Sequence, residues 1–215
     1  MKKLLYAILL SSLAFTAIGY ADDQGTVDRA AATIREFRHM QEKGIPRSVM
    51  RNAKGLAIVT VVKAGFIFSG KAGHGVVVAR TGNGWSGPSF VGTGGAGWGL
   101  QAGVQSTDYV FVLNNNAAVR AFSRDGNATL GADASVAAGP IGRAAEGAIT
   151  PKAAVYAYSR NKGIFAGVSL EGAVIATQKD ENARYYGKPV RATDILKGRV
   201  APPAGAARLH AALSH

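Results

Sequence analysis

Seven cationic side chains, Lys43, Arg47, Arg51, Lys54, Lys63, Lys71 and Arg80, lie between Lys43 and Thr107. No Asp or Glu falls among them, and the same stretch holds fifteen of the chain's 28 glycines. Cations without local carboxylates leave a positive potential, and closely spaced glycines let backbone N–H groups approach a ligand. The chemistry this suits is recognition of phosphate. Arg47, Arg51, Lys54, Lys63 and Lys71 are the candidate headgroup contacts. Phe66 and Phe68, flanked by Lys63 and Lys71, are candidates for shallow insertion between headgroups, although both would equally suit a core. Each basic contact with an anionic membrane contributes about 1 kcal/mol and each inserted Phe about 1.5–3 kcal/mol. Lys54 to Lys71 would form the main contact.

Other chemistries fit less well. Gly92-Thr93-Gly94-Gly95-Ala96-Gly97 satisfies G-x-G-x-x-G, but that fingerprint needs a helix opening immediately after it and an acidic residue about 20 positions on. Strand-like alternation follows instead. Gly70-Lys71 is followed by Ala72, so there is no phosphate-loop lysine motif. The four histidines, His39, His74, His210 and His215, share no metal-ligand spacing. Gly84-Trp85-Ser86-Gly87 is not a nucleophile elbow. Only Asp108, Asp125, Asp133 and Glu146 supply carboxylates between Lys43 and Leu170. A hydrolytic site around His74 and Asp108 is the one enzymatic alternative, and no cofactor is expected.

The absence of cysteine removes disulfides, thiol nucleophiles and thiolate metal sites. The formal net charge of +12 calls for an anionic partner. Met1-Lys2-Lys3, the apolar run from Leu4 to Ile18, and Gly19 and Ala21 at the −3 and −1 positions read as a secretory leader cut after Ala21. The apolar run is shorter than the roughly 20 residues of a spanning helix. An exported chain, periplasmic or secreted, meets lipid headgroups and envelope polymers rather than nucleic acid. Its expected partner is an anionic phospholipid surface, with polyanionic polysaccharide or a protein as the alternative.

The elements that must position these residues follow from periodicity. Val27, Ala30, Ala31, Ile34, Phe37 and Met40 predict an amphipathic helix over Thr26–Lys43, capped by Thr26 and stopped by Gly44. Pro46 opens a short helix to Ala53. Leu56–Val62 predicts a buried strand, Gly65–Lys71 and Val76–Arg80 two more, and Gly92–Gln105 a single glycine-faced strand on which another backbone could lie close. Tyr109–Leu113 is a strand, Asn114–Asn116 caps a helix through Phe122, and Leu130–Ala138 alternates. Ala154–Arg160 and Ile164–Ala176 read as a hairpin through Asn161-Lys162-Gly163. Helices follow near Asp180–Tyr186, Thr193–Lys197 and Ala204–Leu213. Helices, then many strands, then helices predict an α+β fold on a mostly antiparallel sheet, one domain over Asp22–His215.

Several motifs in order resemble the SYLF domain. They are Ile45-Pro46, Ala53-Lys54-Gly55-Leu56-Ala57-Ile58, Lys63-Ala64-Gly65-Phe66 and Ser69-Gly70-Lys71-Ala72-Gly73, then Gly84-Trp85-Ser86-Gly87-Pro88-Ser89 and Thr107-Asp108 with Val112-Leu113-Asn114. Ala138-Gly139-Pro140-Ile141-Gly142-Arg143, Tyr158-Ser159-Arg160-Asn161-Lys162-Gly163 and Gly167-Val168-Ser169-Leu170-Glu171-Gly172 continue the pattern, so that the match spans about Gly44 to Gly198. The resemblance implies lipid binding without enzymatic activity, with phosphoinositide recognition and actin bundling in eukaryotic relatives. It also implies a membrane role for an N-terminal amphipathic helix, whose place Thr26–Lys43 occupies. For an exported member, actin and phosphoinositides are not expected as everyday partners, and an envelope phospholipid is the more economical ligand.

Overall fold

A computed structural model describes residues 22–40, 44–65, 68–98, 103–124, 127–130, 132–140, 153–159 and 174–214. Helix α1 (Asp23–His39) starts one turn earlier than Thr26, because the Asp22 carboxylate accepts from the N–H groups of Gln24 and Gly25, each at 3.3 Å. Thr26 is buried inside the first turn, and its N–H donates to the Asp22 carbonyl at 2.9 Å. A carboxylate at the cap also suits the positive end of the helix. The apolar stripe is as expected: Val27, Ala30, Ala31, Ile34 and Phe37 are all at most 2% exposed. It is spent on the body of the protein, so α1 keeps no apolar face free for a membrane. Helix α2 (Arg47–Asn52) follows Pro46, which has no N–H to lose at the start of a helix.

The strands are β1 (Gly55–Gly65), β2 (Phe68–Thr81), β3 (Gly84–Trp85), β4 (Ser89–Trp98), β5 (Gly103–Leu113), β6 (Asn127–Thr129), β7 (Val136–Ala138), β8 (Val155–Ser159) and β9 (Val174–Thr177). They form a sheet in the order β6-β9-β4-β2-β1-β5-β8-β7, with β3 paired to β2. Every strand pairing is antiparallel except β7 with β8. The α+β class and the mostly antiparallel sheet are therefore as the sequence predicts. Helices α3 (Asn116–Ser123), α4 (Lys179–Tyr186), α5 (Ala192–Leu196) and α6 (Ala207–Ser214) complete the described chain.

The central strands are apolar on both sides because the sheet is the middle layer of three. Leu56, Ile58, Val76 and Val78 pack under α1, α2 and α6, with Phe37, Val49 and Leu209. Ala57, Val59, Val77 and Ala79 face the other way, toward Ala118 and Phe122 of α3 and Leu196 of α5. Period-two alternation thus sends each strand's residues into two separate cores.

Four expectations need correction. Gly65–Lys71 and Val76–Arg80 are not two strands, because β2 runs unbroken from Phe68 to Thr81. Gly92–Gln105 is two strands, not one: β4 ends at Trp98 and β5 begins at Gly103, and the pair flanks the β1–β2 hairpin on its two outer sides. What lies close over Gly92 is a side chain rather than a backbone, since a Cβ there would meet Gln178 Nε2 at 2.5 Å. The described part of the proposed second hairpin strand, β9, pairs with β4 and β6, whereas β8 pairs with β5 and β7. Residues 160–173 fall outside the described residues. In Leu130–Ala138 only β7 is a strand; Asp133 turns the chain before it, its N–H donating to the Thr129 carbonyl at 2.8 Å and its carboxylate accepting from the Thr129 N–H at 2.7 Å.

Candidate anion-binding groove

One cavity of about 610 Å³ is lined by Arg35, Arg38, His39, Arg47, Arg51 and Arg80, with Ile45, Met50, Leu213 and Ser214. Helical spacing assembles the first five. Residues 35, 38 and 39 stand three and four apart on the last turns of α1, and 47 and 51 stand four apart on α2, so each group shares one side of its helix. Gly44 closes the bend between these helices, its N–H donating to the Met40 carbonyl at 3.0 Å. Arg80 arrives from the end of β2, its guanidinium 4.2 Å from the centre of the Trp85 ring. Such stacking fixes a cation in place while leaving its N–H edges available. Arg38 Nη1 donates to the Ala212 carbonyl in the last turn of α6 at 2.9 Å, which ties the third helix to the rim.

The electrostatics are one-sided. Among the described residues no carboxylate lines the cavity. Elsewhere four arginines are paired with carboxylates: Arg29 with Asp108, Arg184 with Asp23, Arg199 with Asp194 and Arg208 with Asp28, all within 3.1 Å. Among the described residues Arg35, Arg47 and Arg51 make no ion pair. Guanidinium groups that face one another without acids repel, so a structure that gathers them gains when an anion enters. Ile45, Met50 and Leu213 add an apolar wall beside the charges.

The predicted contacts are divided by the strands. Arg47 and Arg51 line the groove, and Lys54 sits next to it, exposed, its carbonyl accepting from the Arg80 N–H at 2.8 Å. Lys63 and Lys71 face each other across β1 and β2. Lys63 is nine residues beyond Lys54, so a strand rise of about 3.3 Å per residue sets it about 30 Å away. The stretch from Lys54 to Lys71 is therefore not one contact. Phe66 lies outside the described residues, and Phe68 opens β2 in register with Trp98. Sequence reasoning missed Arg35, Arg38 and His39, because Glu36 and Glu42 place them outside the acid-free window, and it did not link Arg80 to Arg47. The i, i+3, i+4 spacing of 35, 38 and 39 beside the apolar stripe is the signal that could have found the first three.

The alternative centre is a structural clamp. Asp108 on β5 is fully buried and accepts from Arg29 Nη2 at 2.8 and 3.1 Å, from Arg29 Nε at 3.3 Å, and from Thr60 Oγ1 at 2.7 Å. Those bonds hold its oxygens to α1 and β1. His74, opposite Thr60 on β2, has its pKa lowered by burial and then by the charge of Arg29. Among the described residues no three His, Asp or Glu side chains are grouped to hold a metal, and no helix is long and apolar enough to cross a membrane.

Comparison with known proteins agrees with the family resemblance. The family model described as Ysc84, "Las17-binding protein actin regulator", matches residues 94–215. The chain is similar to Protein YSC84 of Saccharomyces cerevisiae, 52% identical over 187 residues that are 82% of this chain and 40% of that one. LAS seventeen-binding protein 3 of the same yeast is 51% identical over 164 residues, 74% of this chain and 36% of its own. SH3 domain-containing YSC84-like protein 1 of Homo sapiens is 45% identical over 190 residues, 85% of this chain and 56% of its own. The chain thus spans between about a third and rather more than half of these relatives.

Proposed function

The chain belongs to the Ysc84 family of SYLF-domain proteins, and within that family we propose that it is a non-enzymatic module that binds anionic phospholipid headgroups in the arginine groove. One observation carries the reading: five arginines and a histidine from α1, α2 and β2 line a single cavity that, among the described residues, no carboxylate lines. Phosphate oxygens accept bidentate pairs from guanidinium groups. Ile45, Met50 and Leu213 suit the first carbons of a glycerol and acyl chain, which a free inorganic anion would leave unused. Residues 1–21 support export, and on that reading the surface met is an envelope membrane. Co-sedimentation with vesicles tests the proposal. Binding to phosphatidylglycerol-containing vesicles that weakens as salt rises supports it; equal binding to pure phosphatidylcholine vesicles overturns it.

The family's description as a Las17-binding actin regulator supports a second reading, in which the same groove takes an acidic segment of a protein partner. A chain indifferent to both vesicle types that is retained by an immobilised acidic peptide would favour it.

A further inference from the structure

The two lysines left out of the groove form a cationic site of their own. Across the sheet, Gln105 of β5, Lys63 of β1, Lys71 of β2 and Gly95 of β4 stand side by side in register. Residues directly opposite in an antiparallel ladder share a face, and like charges so placed destabilise a sheet. Lys71 and Gln105 are exposed. Among the described residues neither lysine is paired with a carboxylate, and the sequence around them has none to offer. Val104, 78% exposed, lies at the same end of the sheet.

This pair looks away from the groove in two senses. It is about 30 Å along β1 from Lys54, at the other end of the strand. It is also on the other face: Lys71 and Arg80 are nine positions apart on β2, an odd spacing that the pleat sends to opposite sides. The cores agree with that parity. Arg80 stacks on Trp85, which belongs to the core under α1, α2 and α6. Val61, two residues before Lys63 and so on its face, packs against the core under α3 and α5.

We infer that the protein joins two anionic membrane surfaces, one held in the arginine groove and the other by Lys63 and Lys71. The inference rests on the groove's reading as a headgroup site. A flat bilayer seated on one site cannot reach the other, because the two point in opposite directions from opposite ends of the sheet. The second contact therefore recruits a second vesicle instead of strengthening the first.

Clustering of phosphatidylglycerol-containing vesicles, followed by turbidity and by energy transfer between two labelled vesicle populations, is measured beside co-sedimentation of the same samples. The wild-type chain clusters vesicles. Lys63→Gln with Lys71→Gln abolishes clustering while bound protein falls no more than a few-fold, and Lys63→Arg with Lys71→Arg restores it. A groove variant, Arg35→Gln with Arg47→Gln and Arg51→Gln, loses both readouts, its affinity falling on the order of a hundredfold. An equal mixture of the lysine and groove variants does not cluster, since no single molecule carries both sites. Wild-type binding without clustering, undiminished clustering by the lysine variant, or clustering by the mixture would each overturn the inference while leaving the groove reading intact. Absence of wild-type binding would overturn both.

Discussion

Arg29 of α1 grips Asp108 of β5 through two bonds from Nη2, at 2.8 Å to one carboxylate oxygen and 3.1 Å to the other. The Asp108 side chain is fully buried, whereas that of Arg29 is 46% exposed. The clamp fixes the height of α1 on the sheet and therefore where Arg35 and Arg38, two turns further on, meet Arg47 and Arg80. Removing the cation would leave a buried carboxylate without its guanidinium partner. Arg29→Ala is expected to cost about 2–3 kcal/mol, less than for a fully buried pair because water already screens the guanidinium. Urea denaturation measures it, and a loss below about 0.5 kcal/mol would contradict the clamp.

Asn182 of α4 offers a neutral counterpart. Fully buried, its Oδ1 accepts from the Phe90 N–H at 2.8 Å, and that edge of β4 is enclosed by the helix. Asn182→Ala strands a buried backbone donor, for an expected loss of about 1–3 kcal/mol. Hydrogen exchange at the Phe90 amide reads the same event locally: faster exchange there with the β1 amides still protected is the predicted pattern. Unchanged protection at Phe90 would count against the bond.

His74 sets an acid limb on stability. Burial and the Arg29 charge keep its folded pKa below the ordinary 6.5, so the unfolded chain binds the proton more readily than the native protein. Its contribution is present above pH 6.5 and is lost as pH falls through the lowered value. His74→Gln should flatten the fall in urea midpoint between about pH 7 and pH 5. Parallel pH profiles for wild type and variant would refute this assignment.

Much of the fold is legible because burial is written into the residues. Leu56–Val59, Val76–Ala79 and Val110–Leu113 are apolar on consecutive positions, which only a strand covered on both faces needs, and the structure covers both. Asn115 caps α3 as its position predicts, accepting from the Ala118 N–H at 2.8 Å. The break between β4 and β5 is hidden because small residues alternate straight through it. The cap of α1 is missed because Asp22 reads as the first residue after a leader rather than as a helix start. Neighbours in sequence mislead at the site as well: Lys54 and Lys63 are close in number, but a strand separates them, while Arg35 and Arg80 are distant in number and share a cavity.

Trp85 supplies an internal reporter, since Arg80 lies on its ring and Trp98 is the only other tryptophan. With Trp98 replaced by Phe, titration with phosphatidylglycerol-containing vesicles should change Trp85 emission as the cation shifts toward phosphate. Vesicles of pure phosphatidylcholine should leave it unaltered, and an equal response to both would separate Arg80 from the anion.

The most direct test is the vesicle affinity of Arg35→Gln with Arg47→Gln and Arg51→Gln against wild type at fixed, moderate salt. Three groove cations at about 1 kcal/mol each predict a fall on the order of a hundredfold in binding to anionic vesicles, with a urea midpoint no lower than that of the wild type. Undiminished binding by a folded triple variant would contradict the groove as the headgroup site.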